Sequence, residues 1–352
     1  MDALAATLDR GWDLAQRGDA EGAIACAKRA LELDPKSPEV HNLYGYSAAL
    51  AGNSDEALTH YRQALELDDT YFEAMLNCAE VLMHPIGDYD EAISMCDEAF
   101  DYAETNEEIA DCVLLKVDAL LAKGDVDGAR RTLGRAPQGP FKGDHYMFMI
   151  GRAHYEIGDL ERSAPFLEDA VKLEPQNPDA QYYMGILRDE QGDVRAALEF
   201  FLRARALDQG RLPPPWSPSP DAFAALVRST VTGLDVLLAR HVREAEVYVV
   251  DLPGAELVVD GVDPRALVLL DVPAPNPRDT KPTSNKPPRG SDSMVAAPSS
   301  ERGSTARLFV YQRNVERAAG SVDFLEESLR NALEREIEHV FDGTPKDKSQ
   351  LN

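Results

Sequence analysis

Small and apolar residues return along the first 210 residues at a fixed interval, and that rhythm predicts the first elements. A glycine followed by an acidic or polar residue, with a small residue five positions later, occurs at Gly18…Ala23, Gly52…Ala57, Gly87…Ala92, Gly124…Ala129, Gly158…Ser163 and Gly192…Ala197. The glycines stand 34, 35, 37, 34 and 34 residues apart. Gly45, Gly151 and Gly185 lie seven residues before a turn glycine; Ala30, Ala64, Ala99, Ala170 and Ala204 lie twelve after one; Pro35 and Pro175 close two copies. The small residues let paired helices approach closely, and the glycine gives a tight helix–helix connection its backbone freedom. About six helix pairs are predicted, with Tyr61, Leu167 and Phe201 filling the space between stacked copies. Met83-His84-Pro85-Ile86 and Ala136-Pro137-Gln138-Gly139-Pro140 are insertions in the third and fourth copies.

The period stops at Asp208-Gln209-Gly210. Residues 211–220 are too proline-rich to continue a helix and read as a stiff linker. Ser219 as cap, Pro220 at the first helical position and Asp221 in the first turn then open a helix. Its apolar side is Phe223, Leu226, Val227, Val231, Leu234 and Leu238. The stretches 245–251 and 306–312 read as strands, and 266–271 as a short buried one. Between them, 273–305 mixes seven prolines with Ser, Thr, Lys and Arg and predicts a disordered insertion. A last helix runs from Val322 to Phe341 behind Ser321, followed by a tail at 344–352. Its apolar stripe is Leu325, Leu329, Ala332, Leu333, Glu336, Ile337 and Val340. A carboxylate in such a stripe is costly unless it has a partner or a task. Arg335 and His339, four apart, line one edge of the stripe.

A period near 34 with these positions resembles tetratricopeptide repeats over about 205 residues. The resemblance implies an α superhelical array that acts as a binding scaffold, its ligand lying in a concave groove lined by the first helix of each pair. Groove-type positions hold Asn42, Tyr46, Phe148, Arg152, Tyr155, Tyr182 and Asp189. The best-known ligand mode of the family clamps a terminal carboxylate with lysines and asparagines. Only Asn42 and Arg152 have that chemistry, three repeats apart, which argues against such a clamp. The aromatic residues suit either the groove or packing between helices.

Charge narrows the partner. The chain has 36 basic and 62 acidic residues, a net of −26; residues 1–210 hold 19 and 41 of them, and 211–352 hold 17 and 21. So acidic an array repels a phosphate backbone, which argues against nucleic acid and favours a neutral or basic protein or peptide. Cys26, Cys78, Cys96 and Cys112 match no zinc or redox spacing and fit core positions in a reducing compartment. Neither a signal peptide nor a membrane span is predicted, so the protein reads as cytoplasmic.

The order helix–strand–strand–strand–helix over about 221–343 resembles the minimal zincin-like metallopeptidase family of bacteria. The likeness rests on 247–253, 308–314, the acidic helix from Phe324, and Arg335-Glu336-Ile337-Glu338-His339 near the helix end. It implies a small α+β domain in which H-E-x-x-H histidines hold zinc and the glutamate serves as general base. On that pattern Glu336 matches the base and His339 the second ligand, but Arg335 stands where the first histidine belongs. A guanidinium has no lone pair to donate. The downstream acid position falls on Pro345, with Asp342 and Asp347 as near misses. Closure of the former metal pocket by an ion pair of Arg335 with its neighbours is therefore expected. Two functions are consistent with this. One is a scaffold with an inactive, cofactor-free second domain; the other is a zinc peptidase with a non-standard ligand set, fed by the array. The residue at 335 favours the scaffold.

Overall fold

A chain that must reverse between two helices in two or three residues needs a left-handed backbone at the turn, and only glycine takes it without strain. In the computed structural model, which describes residues 3–272 and 306–342, φ lies between +76° and +80° at Gly18, Gly52, Gly87, Gly124, Gly158 and Gly192. Nothing crowds these positions, so conformation alone selects glycine. The polar residue after each glycine has its own task. Asp19, Asp88, Asp125, Asp159 and Asp193 each cap the next helix by accepting from the backbone N–H three residues on. Asn53 holds the same place without that bond. The backbone N–H groups of Asp19, Asn53, Asp125 and Asp159 also donate to the carbonyls of Leu14, Ala48, Leu120 and His154, all at 2.9 Å.

These turns join α1 (Ala3–Gln16) to α2 (Ala20–Leu33), α3 (Pro38–Leu50) to α4 (Ser54–Leu67), and α5 (Phe72–Val81) to α6 (Tyr89–Tyr102). They go on to join α7 (Asn106–Ala122) to α8 (Val126–Leu133), α9 (His145–Glu156) to α10 (Leu160–Leu173), and α11 (Pro178–Glu190) to α12 (Val194–Gly210). The odd-numbered helices α1 to α11 pack side by side in sequence order. The first insertion forms a π-type turn at Leu82–Ile86. The second comes after α8, which stops after eight residues.

Ala23, Ala57, Ala92, Ala129 and Ser163 are fully buried, as are Ala30, Ala64, Ala99 and Ala170. A Cβ on Gly45 would stand 2.7 Å from the Tyr61 ring, so Tyr61 fills the gap inside its own helix pair, and it clusters with Cys78, Val81 and Leu82 of the next copy as well. Gly11, seven residues before Gly18, does the corresponding service for the next copy: its Cβ would meet Leu43 at 2.5 Å. Cys78, Cys96 and Cys112 are buried and unbridged, and burial pushes their thiols up to about 11, 12 and 12. Cys26 is half-buried.

The chain divides into two compact units, Met1–Gln191 and Gly192–Asn352. The second starts with α12, which carries the repeat pattern but packs with the elements after it. These are α13 (Pro220–Thr232), α14 (Val236–Val242), β1 (Glu246–Val250), α15 (Ala255–Val259), β2 (Val268–Asp271), β3 (Arg307–Tyr311), α16 (Gln312–Ala319) and α17 (Leu325–Asp342). Ser219 caps α13 through the Ala222 N–H, with Pro220 at its start. The single helix expected over 223–238 is two, because Gly233 ends α13 and Asp235 caps α14. Likewise a 3-10 turn at Val322–Phe324 precedes α17, and the Ser321 hydroxyl makes no cap bond. The sheet runs β1-β3-β2, with β3 parallel to β1 and antiparallel to β2. Phe223, Val227, Val268, Leu270, Leu308, Val310, Leu329, Leu333 and Ile337 form the core between sheet and helices. The insertion and tail expected at 273–305 and 344–352 lie outside the described residues.

Sequence reading did not separate α16 from the strand before it, yet α16 holds this unit's polar framework. Buried Asp208, near the end of α12, pairs with Arg317 at 2.6 Å and Arg265 at 3.3 Å. Arg313 donates to the carbonyls of Asp208, Gln209 and Arg211. Ser217 donates to Glu316 at 2.7 Å, and Gln312 to the Pro218 carbonyl at 3.0 Å. The proline-rich segment, read from the sequence as a stiff linker, is thus fastened to α16.

Two histidines in the second repeat share a hydrogen bond. His41 Nε2 lies 3.2 Å from the Pro35 carbonyl, which can only accept, so that nitrogen carries the proton. Gln181 makes the same bond to Pro175 in the last repeat with its Nε2 donor. His41 Nδ1 is then the acceptor for His60 Nδ1, 3.1 Å away. Burial first, and His41 second, push the His60 pKa below its ordinary 6.5, against the pull of Glu56.

Two outcomes are expected. Gly52→Ala should cost about 1–2 kcal/mol in urea unfolding, from left-handed strain alone. For His60, a lowered pKa means that the folded state binds fewer protons than the unfolded one. Its contribution is complete above pH 6.5 and is lost as pH falls below that value, by at most about 1.4 kcal/mol per pH unit. Urea midpoints of the wild type should therefore fall more than those of His60→Gln between pH 7.5 and 5.5; equal slopes would refute the sharing of this bond.

Candidate functional site

The turn glycines fix a common register, and in it one row of the odd-numbered helices reads Trp12, Tyr46, Val81, Asp118, Arg152 and Ile186. At the N-terminal end Tyr46 meets Trp12 with ring centroids 5.4 Å apart. Asn42 is buried: its amide donates to Tyr71 Oη and accepts from Asn77, which occupies the matching place one repeat later. Its hydrogen-bonding groups are therefore engaged within the protein.

Farther along, Phe148, Arg152, Tyr155 and Tyr182 come together around Tyr183, a residue that sequence reasoning passed over for its neighbour. Tyr183 meets Phe148, Tyr155 and Tyr182 edge-on at 5.6, 5.7 and 6.0 Å. Its hydroxyl donates to Glu156 at 3.2 Å, and Glu156 also pairs with Arg152 at 3.3 Å. Asp118, on α7, stands open to solvent on this side yet is hemmed in by protein. That enclosure raises its carboxyl pKa, while Arg152 pulls it down and Glu156 pushes it up. Asp189 is half-buried near the end of α11. The signal for Trp12, Asn77 and Asp118 was present in the glycine register; nothing in the sequence distinguishes Tyr183 from Tyr182.

The second candidate is the motif on α17. Glu336 is buried, and its Oε1 accepts from the Leu270 N–H at 3.1 Å. Among the described residues β2 is an edge strand, so the carboxylate covers a backbone donor the sheet leaves open. This is the partner its place in an apolar stripe demanded. Arg335 is exposed and forms no ion pair among the described residues. The expected closure by an Arg335 ion pair is not seen among the described residues; Glu336 engages the backbone of β2 instead. His339 is half-buried. Tyr311 is buried nearby, its hydroxyl pushed up to about 12 by burial and the charge of Glu336. Among the described residues no three His, Cys, Asp or Glu side chains converge as a metal site. These residues do not fit zinc: one ligand position points a guanidinium to solvent, and the carboxylate serves the backbone.

The first unit is therefore a helical-repeat array with an aromatic and charged row along one set of helices. The tetratricopeptide repeat family model matches residues 8–72 and 148–211 of the chain. BBSome complex member bbs-4 of Caenorhabditis elegans is 26% identical over 182 residues, covering 51% of this chain and 38% of that protein. Tetratricopeptide repeat protein 7B of Homo sapiens is 32% identical over 87 residues, covering 25% of this chain and 10% of that protein. The chain thus spans well under half the length of the curated relatives it matches. The solved structure of Pseudomonas aeruginosa pilF shares the fold with a TM-score of 0.50 at 19% identity, covering 63% of this chain and 97% of that one. Among the described residues no helix is long and apolar enough to cross a membrane.

If Glu336 is structural, Glu336→Ala should leave the Leu270 N–H buried without an acceptor and cost about 1–3 kcal/mol. Hydrogen exchange at the Leu270 amide should accelerate with it; unchanged protection there would refute the edge-covering role.

Proposed function

We propose that this chain is a protein-binding scaffold whose array takes an extended segment of a partner along the odd-numbered helices. One observation carries the reading: the half-buried rings of Phe148 and Tyr155 and the Arg152–Glu156 pair assemble on α9 over the buried Tyr182 and Tyr183 of α11. Aromatic side chains with polar tips are the residues that anchor interfaces. The partner is a neutral or basic protein or peptide. Asp118 and Glu156 supply two carboxylates against the single guanidinium of Arg152, and the array as a whole is acidic. Membership of bbs-4 in a complex, as its name states, is in keeping with such a role.

The second unit, in this reading, descends from minimal zincin-like metallopeptidases and no longer catalyses. It serves as a further interaction module, without a metal, in the cytoplasm. The engagement of Glu336 by Leu270 and the exposed Arg335 support this over the peptidase alternative.

Selection of random dodecapeptides on the full chain tests the scaffold. Selected peptides should lose at least about tenfold in affinity on Tyr183→Ala or Phe148→Ala; peptides indifferent to both would sink the groove. Elemental analysis tests the second unit: close to one zinc per chain would restore the peptidase reading.

A further inference from the structure

The fourth repeat is unfinished. α8 stops after 8 residues, while α2, α4, α6 and α10 each run for 14. Gly134 caps it, and the glycine- and proline-rich run to Pro140 does not resume a helix. Six more residues would have extended α8 by about 9 Å. Beside its end lies a cleft of about 1080 Å³ between α8 and the start of α10, floored by His154 and Phe166.

The cleft's charges divide into those already engaged and those available. Arg130 donates to the Ile157 carbonyl at 3.0 Å and pairs with Asp127 at 3.3 Å. Asp159 caps α10 through the Arg162 N–H, and its other oxygen lies 3.7 Å from Arg162 Nε and 3.8 Å from His154 Nδ1. At those distances neither contact is a hydrogen bond. Arg131 is exposed and has neither ion pair nor hydrogen bond among the described residues. His154 is 3% exposed, stacked on Phe166, and its Nδ1 has no hydrogen-bond partner. Burial keeps the ring neutral at pH 7 by lowering its pKa, with Asp159 opposing and Arg162 adding. A buried polar atom without a partner, on a residue that lines a cleft, is a place for a ligand atom. Arg131 is on offer there, with Arg162 beside it in a 3.7 Å contact with Asp159, against the exposed carboxylate of Glu161.

We propose that this cleft is a second docking site, separate from the aromatic row, for an acidic segment of a partner protein. A carboxylate of that segment bridges Arg131 and Arg162, whose forked donors suit it, and a second polar group of the segment partners His154 Nδ1. The proposal runs against the net charge of the chain. Screening limits the array's field to about 8 Å at physiological salt, so the guanidiniums lining the cleft decide.

The probe is a fluorescein-labelled dodecapeptide of alternating glutamate and leucine, titrated against the full chain by anisotropy, with its lysine–leucine twin as control. The acidic peptide should bind saturably. Arg131→Glu and Arg162→Glu should each weaken it roughly tenfold and His154→Phe by a smaller factor, while Tyr183→Ala leaves it unchanged. Arg131 is exposed, so its variant should keep the wild-type circular dichroism. Failure of the acidic peptide to bind, or equal binding by a folded Arg131→Glu protein, overturns the proposal. Loss of binding in Tyr183→Ala alone would move the contact to the aromatic row and overturn it as well, leaving the scaffold reading in place.

Discussion

The left-handed glycine turn is the constraint on which the array depends. A helix pair this short cannot bury its apolar faces alone and is held by its neighbours. Stacking works only if every pair closes at the same angle. Glycine fixes the reversal, and the aspartate after it fixes where the next helix starts. With both set, the small residues on each side fall opposite one another, and Tyr61 can lie flat on Gly45. A longer or looser turn would put a side chain where that ring now sits.

Those features were legible in the sequence because each is decided within a few residues. The turn glycines, the buried alanines, the cap at Ser219 and the stripe on the last helix all emerge where their residue types predict them. What stayed hidden depends on partners far away in the chain. α16 is short and polar, and reads as the tail of a strand until Gln312 and Glu316 are seen to grip Pro218 and Ser217. The docking of the proline-rich segment was hidden for the same reason. Tyr183 differs from Tyr182 by one position, and only the packing of α11 on α9 tells which ring becomes the hub.

The motif at 335–339 shows how a residue can be right in place and wrong in role. Its glutamate fits a catalytic pattern, and the same glutamate is what a buried helix needs to satisfy an edge strand beneath it. Local sequence cannot separate the two, because both ask for a carboxylate at that point on the helix. The distinction comes from Leu270, 66 residues away, whose N–H takes up the oxygen.

α12 belongs to the repeats by its sequence and to the second unit by its packing, and this has a consequence for synthesis. A growing chain presents α12 long before α16 exists, since Asp208 and Arg313 are 105 residues apart. Until α16 emerges, Asp208 can meet Arg265 but has no Arg317 beside it. A chain halted before residue 312 would keep the packing of α12 on α15 and lack the bonds from Arg313 and Arg317.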